Sequence, residues 1–254
     1  MDIIPIVKNK NYSEKNGVFY FGEIPSGIKP SRDENPQNQN EWSYWRKSNY
    51  EFFKKELSRL SKELVLLDVG AGQSDFTDIT SQFKLCAVDF YPYPGVTVVC
   101  DFTKELPLAD ASADILMLSN VLEHVPEPNT LLEECRRVLK PGGIMLGSVP
   151  FMIQIHQRPY DFFRYTEMNL EYILKKHNFK DSVIQPVLAT RVYLFNAATS
   201  FFVHAIRTSQ SLERIFLRIL WIVVRGALKT FDGIFKRYDS DPNTPLGYLL
   251  KARR

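Results

Sequence analysis

The sequence predicts an α/β fold, with a doubly wound and mostly parallel sheet of seven strands between helices. From residue 64, short apolar runs of strand length alternate with segments of helical periodicity, a pattern typical of a parallel sheet covered on both faces. One strand ends in a glycine turn, and three strand ends carry a carboxylate, at the edge where such sheets bind ligands. With 254 residues, 44% of them hydrophobic, the chain can form a single domain, residues 1–254, with one substantial core.

Residues 1–60 are expected to form an N-terminal loop and helical cover. Residues 1–40 are rich in Pro, Gly, Asn and Ser, which favours loops. Residues 41–60 have apolar side chains at helical spacing: Trp42, Trp45, Phe52, Phe53, Leu57 and Leu60. Asp2 and Pro5 interrupt the first apolar run, so we do not expect a signal peptide.

Residues 61–190 are expected to be the ligand-binding core. The strand-like runs are LVLLDVG, LCAVD, VTVVCD, ADILMLSN, GGIMLGSVP and DSVIQPVLA. Pro128 should open a helix, because proline suits a first helical turn, and Lys140–Gly143 should follow its end. Thr166 is expected to cap a later helix.

Residues 191–240 read as a basic and apolar helical insertion, and residues 246–254 as a final strand. Residues 191–238 contain eight Lys or Arg and two acids. If residues 207–236 formed one helix, its basic residues would share one stripe: Arg207, Arg214, Arg218, Arg225, Lys229 and Lys236. The remaining apolar arc would need cover from other helices, a twin subunit or an anionic membrane surface. In the alternative interpretation, these helices pack on the domain as a lid, and the basic stripe faces solvent.

Composition excludes several classes of protein. The net charge of +3 is too small to imply nucleic-acid binding. Cys86, Cys100 and Cys135 are an odd number and lie far apart, which argues against a disulfide framework and a zinc site. A reducing, cytoplasmic location fits best. No apolar run is long enough to predict a membrane-spanning helix.

The strand ends carry the candidate ligand-binding residues. The first ends in Asp68, Gly70 and Gly72, and later ones end at Asp89, Asp101-Phe102 and Ser119-Asn120. A dinucleotide fingerprint would place a third glycine at position 75, where Asp75 stands. Asp75 and Asp78, at the start of the next helix, would repel a pyrophosphate. An NAD-dependent oxidoreductase is therefore disfavoured, and a phosphate-free ligand with cationic groups suits the site better.

The run from Leu64 to Pro150 resembles the class I S-adenosylmethionine (SAM) dependent methyltransferases. LLDVGAGQS matches the family's acidic-x-Gly-x-Gly loop, although Ser74 replaces a third glycine found in many members. LSNVLEHV and LLEECRRVLKPGG resemble the segments around the fourth strand and the following helix. The resemblance implies SAM as cofactor, demethylated to S-adenosylhomocysteine, and a last strand antiparallel to the sixth. It implies these SAM-binding residues: Asp68, Gly70, Gly72, Asp89, Phe90, Asp101, Phe102 and Asn120.

Each of these positions also has a purely structural interpretation. A strand-end Asp often only caps a helix or forms a turn, and Phe102 could be a core side chain. Three acids at successive strand ends favour the binding interpretation. In it, Asp89 accepts hydrogen bonds from ribose hydroxyls, and Asp101 accepts one from the exocyclic amine of adenine.

The candidate catalytic residues are His156, His124 and Asp161. Both histidines follow strands, and a base with a pKa near neutrality assists methylation of a hydroxyl or amine. HQRPYDFFRYT resembles a segment in a subset of these enzymes, many of them associated with glycan and natural-product pathways. In the structural alternative, Asp161 pairs with Arg158 or Arg164 to hold a loop, and His124 caps a turn. No cluster with metal-ligand spacing is visible, so no metal is expected.

The resulting hypothesis is a methyltransferase acting on an oxygen of a small molecule, a glycan or a lipid-linked sugar. The alternatives are N- or C-methylation of a small metabolite, a non-catalytic membrane- or partner-binding protein on the same fold, and an NAD-dependent oxidoreductase. The protein is expected in the cytoplasm or peripherally at the inner face of a membrane. A homodimer through residues 207–236 is a further alternative.

Overall fold

The computed structural model describes residues 6–8, 11–22, 39–73, 76–239 and 241–254. Nine strands lie in these residues: β1 (Ser13–Lys15), β2 (Val18–Tyr20), β3 (Val65–Val69), β4 (Lys84–Asp89), β5 (Val98–Val99), β6 (Ala113–Ser119), β7 (Leu139–Pro150), β8 (Lys180–Pro186) and β9 (Gly247–Arg253). The helices are α1 (Tyr44–Leu57), α2 (Thr77–Thr80), α3 (Pro128–Val138), α4 (Glu167–Lys176), α5 (Thr190–Thr208), α6 (Ser211–Thr230) and α7 (Asp232–Phe235). Short 3-10 turns lie at Gln39–Glu41, Leu122–His124 and Lys236–Tyr238.

All nine strands form one sheet, in the order β1-β2-β5-β4-β3-β6-β7-β9-β8. The strands from β2 to β7 in this order run parallel. The final strand, β9, pairs antiparallel with both β7 and β8. The predicted doubly wound α/β fold and the antiparallel last strand are therefore confirmed.

The sheet has nine strands rather than the predicted seven, because the β1–β2 hairpin extends its edge. Asn16 and Gly17 form the turn with φ values of 55° and 76°, as the tight hairpin turns that favour Asn-Gly require. Phe19 pairs in parallel with Val98 and is 8% exposed. These residues lie in the predicted loop region, and the burial of Phe19 is what adds the hairpin to the sheet.

Buried side chains fill both faces of the sheet. Consecutive residues of β3 point to opposite faces, so Leu66 packs with Phe53 and Leu57 of α1, and Leu67 packs with Leu131 on α3. α1 lies within the predicted helix 41–60. The three cysteines are buried free thiols, which behave here as small apolar residues.

The predicted helix starts in the core are confirmed. Pro128 is the first residue of α3. The backbone N–H of Asn169 donates to Thr166 Oγ1 at 3.2 Å, which is the N-cap interaction expected for α4.

Residues 207–236 do not form one helix, the condition on which the single basic stripe was considered. α5 ends at Thr208, and a new helix begins at Ser211, where Gln210 and Glu213 form a capping box. Arg207 therefore belongs to α5 and Lys236 to a 3-10 turn, which leaves the middle of the predicted basic stripe on α6. Within the described residues, none of the helices combines the length and apolar character needed to cross a membrane.

Candidate active site

The glycine loop after β3 is held against two neighbouring strands. The N–H groups of Gly70 and Ala71 donate to the carbonyl oxygen of Val88 at 2.9 and 3.1 Å. Gly70 has a φ of +72°, and a Cβ there would lie 2.6 Å from Cγ2 of Val121. Only glycine fits this position, because both the backbone conformation and the close approach exclude a side chain. Asp68, immediately before the loop, is 7% exposed.

Gly72 joins the loop to the acid at the end of β4. Its N–H donates to Asp89 Oδ2 at 2.8 Å, and the N–H of Tyr91 donates to Oδ1 at 3.0 Å. Burial raises the pKa of Asp89, although these hydrogen bonds oppose the rise. Each carboxylate oxygen can accept a second hydrogen bond. Among the described residues, a Cβ on Gly72 would meet nothing within 4 Å, so they leave the space beside this glycine open.

The second acid, Asp101, follows β5 and is hydrogen-bonded locally. Its Oδ1 accepts bonds from the backbone N–H and the hydroxyl of Thr103, and Lys104 Nζ lies 3.0 Å from Oδ2. Burial alone would raise the pKa of Asp101, but these partners outweigh it and lower the pKa. Phe90 and Phe102 pack with ring centroids 4.0 Å apart. Phe102 is 4% exposed and is thus also a core residue.

Asn120 connects the end of β6 to α1. Its Oδ1 accepts a hydrogen bond from Trp45 Nε1 at 2.8 Å, and its φ of 54° is left-handed, a conformation that Asn tolerates better than most residues. Ser74 and Asp75 lie outside the described residues. The Asp78 carboxylate accepts a hydrogen bond from the Tyr50 hydroxyl and so links α2 to α1.

The candidate catalytic residues lie after β6 and β7, which are neighbours in the sheet. Residues 151–166 fold back onto the 3-10 turn at Leu122–His124. The N–H of Phe162 donates to the Glu123 carbonyl oxygen at 2.8 Å, and the Tyr165 hydroxyl donates to the Leu122 carbonyl oxygen at 3.0 Å. These bonds bring His156 to His124.

The two imidazole rings are 4.8 Å apart and nearly perpendicular, at 85°. Nδ1 of His124 contacts the carbonyl oxygen of Tyr160, and Nδ1 of His156 lies 3.1 Å from that of Gln154. Since a carbonyl oxygen only accepts, Nδ1 is the donor in both contacts, and in the neutral form of such a ring Nε2 is the acceptor. Burial lowers the pKa of His124 to about 4, so this ring is neutral at pH 7.

Asp161 anchors this segment. Its side chain is 2% exposed and forms a bidentate ion pair with Arg164, at 2.5 and 2.9 Å. It also accepts the backbone N–H of His156 at 2.7 Å. Burial would raise its pKa, but the hydrogen bonds from Arg164 and His156 outweigh this effect and lower the pKa to about 2. The ion pair of the structural alternative, in which Asp161 holds a loop, is therefore present, and its partner is Arg164 rather than Arg158.

Known proteins resemble this chain in sequence over the same region. Residues 64–147 match the family model described as a methyltransferase domain, which spans β3 to β7. Over this third of the chain, the sequence resembles class I SAM-dependent methyltransferases. A probable SAM-dependent methyltransferase of Mycolicibacterium smegmatis is 26% identical over 160 residues, 58% of this chain and 62% of the relative. An uncharacterized methyltransferase of Mycolicibacterium gilvum is 36% identical over 101 residues, 35% of this chain and 40% of the relative.

The chain thus spans less than two thirds of the length of these curated relatives. Solved structures show the same fold at low identity. A SAM-dependent methyltransferase from Archaeoglobus fulgidus has a TM-score of 0.51 at 16% identity, covering 83% of this chain and 96% of that chain. The [4+2]-cyclase SpnF has a TM-score of 0.52 at 17% identity, covering 85% and 84%. A methyltransferase fold can therefore carry other chemistry, and the reaction must be argued from the site.

SAM, the cofactor of the similar methyltransferases, fits the residues of this site. The open space beside Gly72 allows a ligand to approach the loop backbone. Asp89 and Asp101 can accept hydrogen bonds from hydroxyl and amino groups, and neither would repel a sulfonium. The SAM-binding candidates from the sequence thus lie at the carboxyl ends of β3 to β6, on one edge of the sheet.

Glu123 is a polar residue beside these histidines that sequence analysis did not single out. Its side chain is 0% exposed, and within the described residues neither carboxylate oxygen has a hydrogen-bond partner. Burial raises its pKa to about 8. The signal in the sequence was an acid that follows two apolar residues and stands directly before His124, and only the structure places His156 beside it.

Proposed function

We propose that the protein transfers a methyl group from SAM to an oxygen atom of a small molecule, a glycan or a lipid-linked sugar. One observation carries the proposal. The glycine loop and acids suited to SAM share a sheet edge with a pair of histidines, of which the partly exposed His156 can accept a proton on Nε2. Methylation of a hydroxyl needs both a bound methyl donor and a base.

In this proposal, the acids orient the donor. Asp89 binds the ribose hydroxyls while it holds Gly72, and Asp101 accepts from the adenine amine beside Phe90 and Phe102. Asp68 and Asn120 lie on either side of the loop and contact the remainder of the donor. Bound SAM supplies a methyl group on sulfur, which is displaced onto the acceptor oxygen as the C–S bond breaks.

His156 is the proposed base, with His124 as the alternative. Nε2 of His156 takes the acceptor's hydroxyl proton, because Nδ1 is already hydrogen-bonded to the Gln154 carbonyl oxygen. Asp161 acts as a positioning residue, since it holds the backbone of His156 and lies 3.5 Å from its Nδ1. An imidazolium formed at His156 would be stabilised by this carboxylate.

Donor binding is tested by native mass spectrometry of the purified protein, which should show bound SAM or S-adenosylhomocysteine. In calorimetry, Asp89→Ala should weaken SAM binding at least about tenfold, since charged hydrogen bonds contribute about 1.5–3 kcal/mol each. Asp181→Asn, an exposed acid on β8, is the control and should bind normally. Binding of NADH without SAM would refute the proposal.

The base is tested with tritiated SAM and a panel of sugars and phenols as acceptors. His156→Ala should lower turnover by a factor of about 10² to 10⁴, the usual contribution of a general base, while SAM affinity is retained. Loss of SAM binding or of the fold in this variant would instead assign His156 a structural role.

We further propose that α5 and α6 place the protein peripherally on an anionic membrane surface at its cytoplasmic side. α6 has no buried residue. At about 100° per residue, its circumference divides into three sectors. Half-buried residues lie toward α5: Leu217, Trp221, Val224 and Leu228. Basic residues form the next stripe: Arg214, Arg218, Arg225 and Lys229.

The third sector of α6 consists of exposed apolar side chains: Leu212, Ile215, Phe216, Ile219, Leu220, Ile222 and Val223. Leu212 is 84% exposed and Ile222 is 70% exposed. A broad apolar face beside a basic stripe is the pattern of a helix lying in a membrane interface. Basic residues near an anionic leaflet contribute about 1 kcal/mol each, so four of them suffice to hold a protein there.

Vesicle co-sedimentation tests this surface. The protein should bind vesicles containing phosphatidylserine and not neutral ones, and added salt should release it. Replacing Arg214, Arg218 and Arg225 with Glu should abolish binding. Replacing the exposed Lys55, Lys175 and Lys180 with Glu is the control with the same change in charge. Equal binding to both kinds of vesicle would refute the proposal, and light scattering would then reveal a homodimer.

A further inference from the structure

We propose that Glu123, His124 and His156 bind one divalent transition-metal ion of the zinc type. Each residue offers one donor atom, and these three atoms lie within 4.8 Å of one another. Two come from the turn after β6 and the third from the segment after β7, so the fold brings them together across neighbouring strands. The inference concerns an ion site and does not depend on methyl transfer.

The state of Glu123 points independently to a ligand. Its side chain is 0% exposed, and among the described residues its carboxylate oxygens accept no hydrogen bond. Nε2 of His124, 3.7 Å from Glu123 Oε1, is likewise buried and has no hydrogen-bond partner in the described part of the chain. A buried carboxylate without partners is costly, and native proteins usually pair it or coordinate it to a metal.

The hydrogen bonds of the two histidines are those of metal ligands. Metal-binding histidines usually donate their second N–H to a carbonyl or carboxylate oxygen, which fixes the tautomer and orients the ring. Here Nδ1 of His124 donates to the Tyr160 carbonyl oxygen and Nδ1 of His156 to that of Gln154. Asp161 lies behind His156, 3.5 Å from Nδ1. Both Nε2 lone pairs are thus available to an ion.

The donor set selects the kind of ion. One carboxylate oxygen and two imidazole nitrogens suit Zn²⁺ and its neighbours, whereas Mg²⁺ and Ca²⁺ prefer oxygen ligands alone. At bond lengths of about 2.0–2.1 Å, donor atoms of a tetrahedral zinc site lie roughly 3.4 Å apart. The 3.7 Å between His124 Nε2 and Glu123 Oε1 is close to this separation. The widest separation in the cluster, 4.8 Å, would have to close by roughly 1.4 Å, and the His156 side chain that would move is 31% exposed.

Three protein ligands leave a coordination position open, as in catalytic zinc sites. An acceptor hydroxyl at that position would lose its proton more readily. The ion and the proton compete for Nε2 of His156, so ion binding would replace the role of this ring as a base. Metal binding and methyl transfer can therefore be measured separately, and each can fail alone.

The test is calorimetric titration of the metal-free, full-length protein with Zn²⁺, with Co²⁺ as a spectroscopic probe. We expect one equivalent to bind and a visible Co²⁺ absorption spectrum of low coordination number. Changes to groups behind a metal ligand already cost about 10- to 100-fold in affinity. His156→Ala and Glu123→Gln should therefore weaken binding at least about 100-fold. His204→Ala, which removes an exposed histidine on α5, should bind zinc like the unaltered protein.

Circular dichroism of each variant establishes that it is folded, and His156→Ala is the decisive variant because its side chain is partly exposed. Zinc binding of equal affinity in His156→Ala and the unaltered protein would overturn the proposal, as would no binding at all. Loss of zinc binding in His204→Ala would show that the ion binds at the exposed surface of α5, and this result would also overturn the proposal. SAM binding is measured on the same samples, so that its failure refutes the proposed function and not the metal site.

Discussion

Gly70 and Gly72 both have left-handed backbones but differ in their surroundings. Alanine at either position should cost about 1–2 kcal/mol from its positive φ. Gly70→Ala should cost roughly 1–3 kcal/mol more, because its Cβ would collide with Val121. Gly72→Ala should instead weaken SAM binding, since its methyl group enters the open space. Urea denaturation and calorimetry measure the two effects, and equal loss of stability in both variants would contradict this assignment.

Asp161 should make stability depend on pH in the acidic range. Its pKa of about 2 lies below the value of about 3.9 for an unfolded Asp. A carboxyl group whose pKa is lower in the folded protein stabilises the fold at pH values above its pKa in the unfolded chain. This contribution, about 2 kcal/mol, is lost as the pH falls from 4 to 2. Asp161→Asn should therefore be less stable than the unaltered protein at pH 7, with a smaller difference at pH 3. Urea titrations at both pH values measure this, and a constant difference would be the contrary result.

How far the site could be predicted depends on the distance between its residues in the sequence. Asp68, Asp89 and Asp101 were predicted to lie together because each stands at or just after the end of a strand, and parallel strands end on one edge of a sheet. The proximity of Glu123 to His156 was not predicted. It depends on the pairing of β6 with β7 and on the return of residues 151–166 across the Leu122–His124 turn, which no local spacing encodes.

At the level of elements, the amphipathic α1 and the strands β3 to β7 were predictable, because buried surface imposes their periodicity. The β1–β2 hairpin was missed. Its strands have three residues each, too short for a periodic pattern, and the Asn16-Gly17 turn was its only strong local signal. The break between α5 and α6 lies in the polar run RTSQS at residues 207–211, a local loop signal that was not used, and the capping box at Gln210 starts a new helix there.

The α5–α6 pair should depend on one aromatic contact. Trp221 stacks on Phe202 at 4.9 Å between ring centroids and also lies 6.3 Å from Phe195. Trp221→Ala should detach α6 and accelerate tryptic cleavage at Arg218 and Arg225, while the melting temperature of the sheet changes little. Ile222→Ala, at a 70% exposed position, is the control. Unchanged cleavage in Trp221→Ala would show that other contacts hold the pair.

At the scale of the whole molecule, stability should be unevenly distributed. The sheet is buried on both faces, whereas α6 buries none of its residues. Local opening costs least where few apolar contacts are broken. Hydrogen exchange should therefore be slowest in β3, β6 and β7 and faster by orders of magnitude in α6. Similar protection of α6 and the sheet would mean that a partner, such as a second copy, covers the helix.

The connection between β8 and β9 leaves the sheet and returns to nearly the same point. The N–H of Val187 donates to the Gly247 carbonyl oxygen, and the N–H of Leu246 donates to the Val187 carbonyl oxygen, both at 2.9 Å. The two strands are thus already closed as a hairpin before the helices begin. Length and sequence can therefore change between them at little cost in chain entropy. Pro186 and Gly247 lie beside the carboxyl end of β7 at Pro150, so this exchangeable segment borders the edge of the sheet that carries the candidate site. Changes in it can alter what reaches the site while the sheet itself is kept.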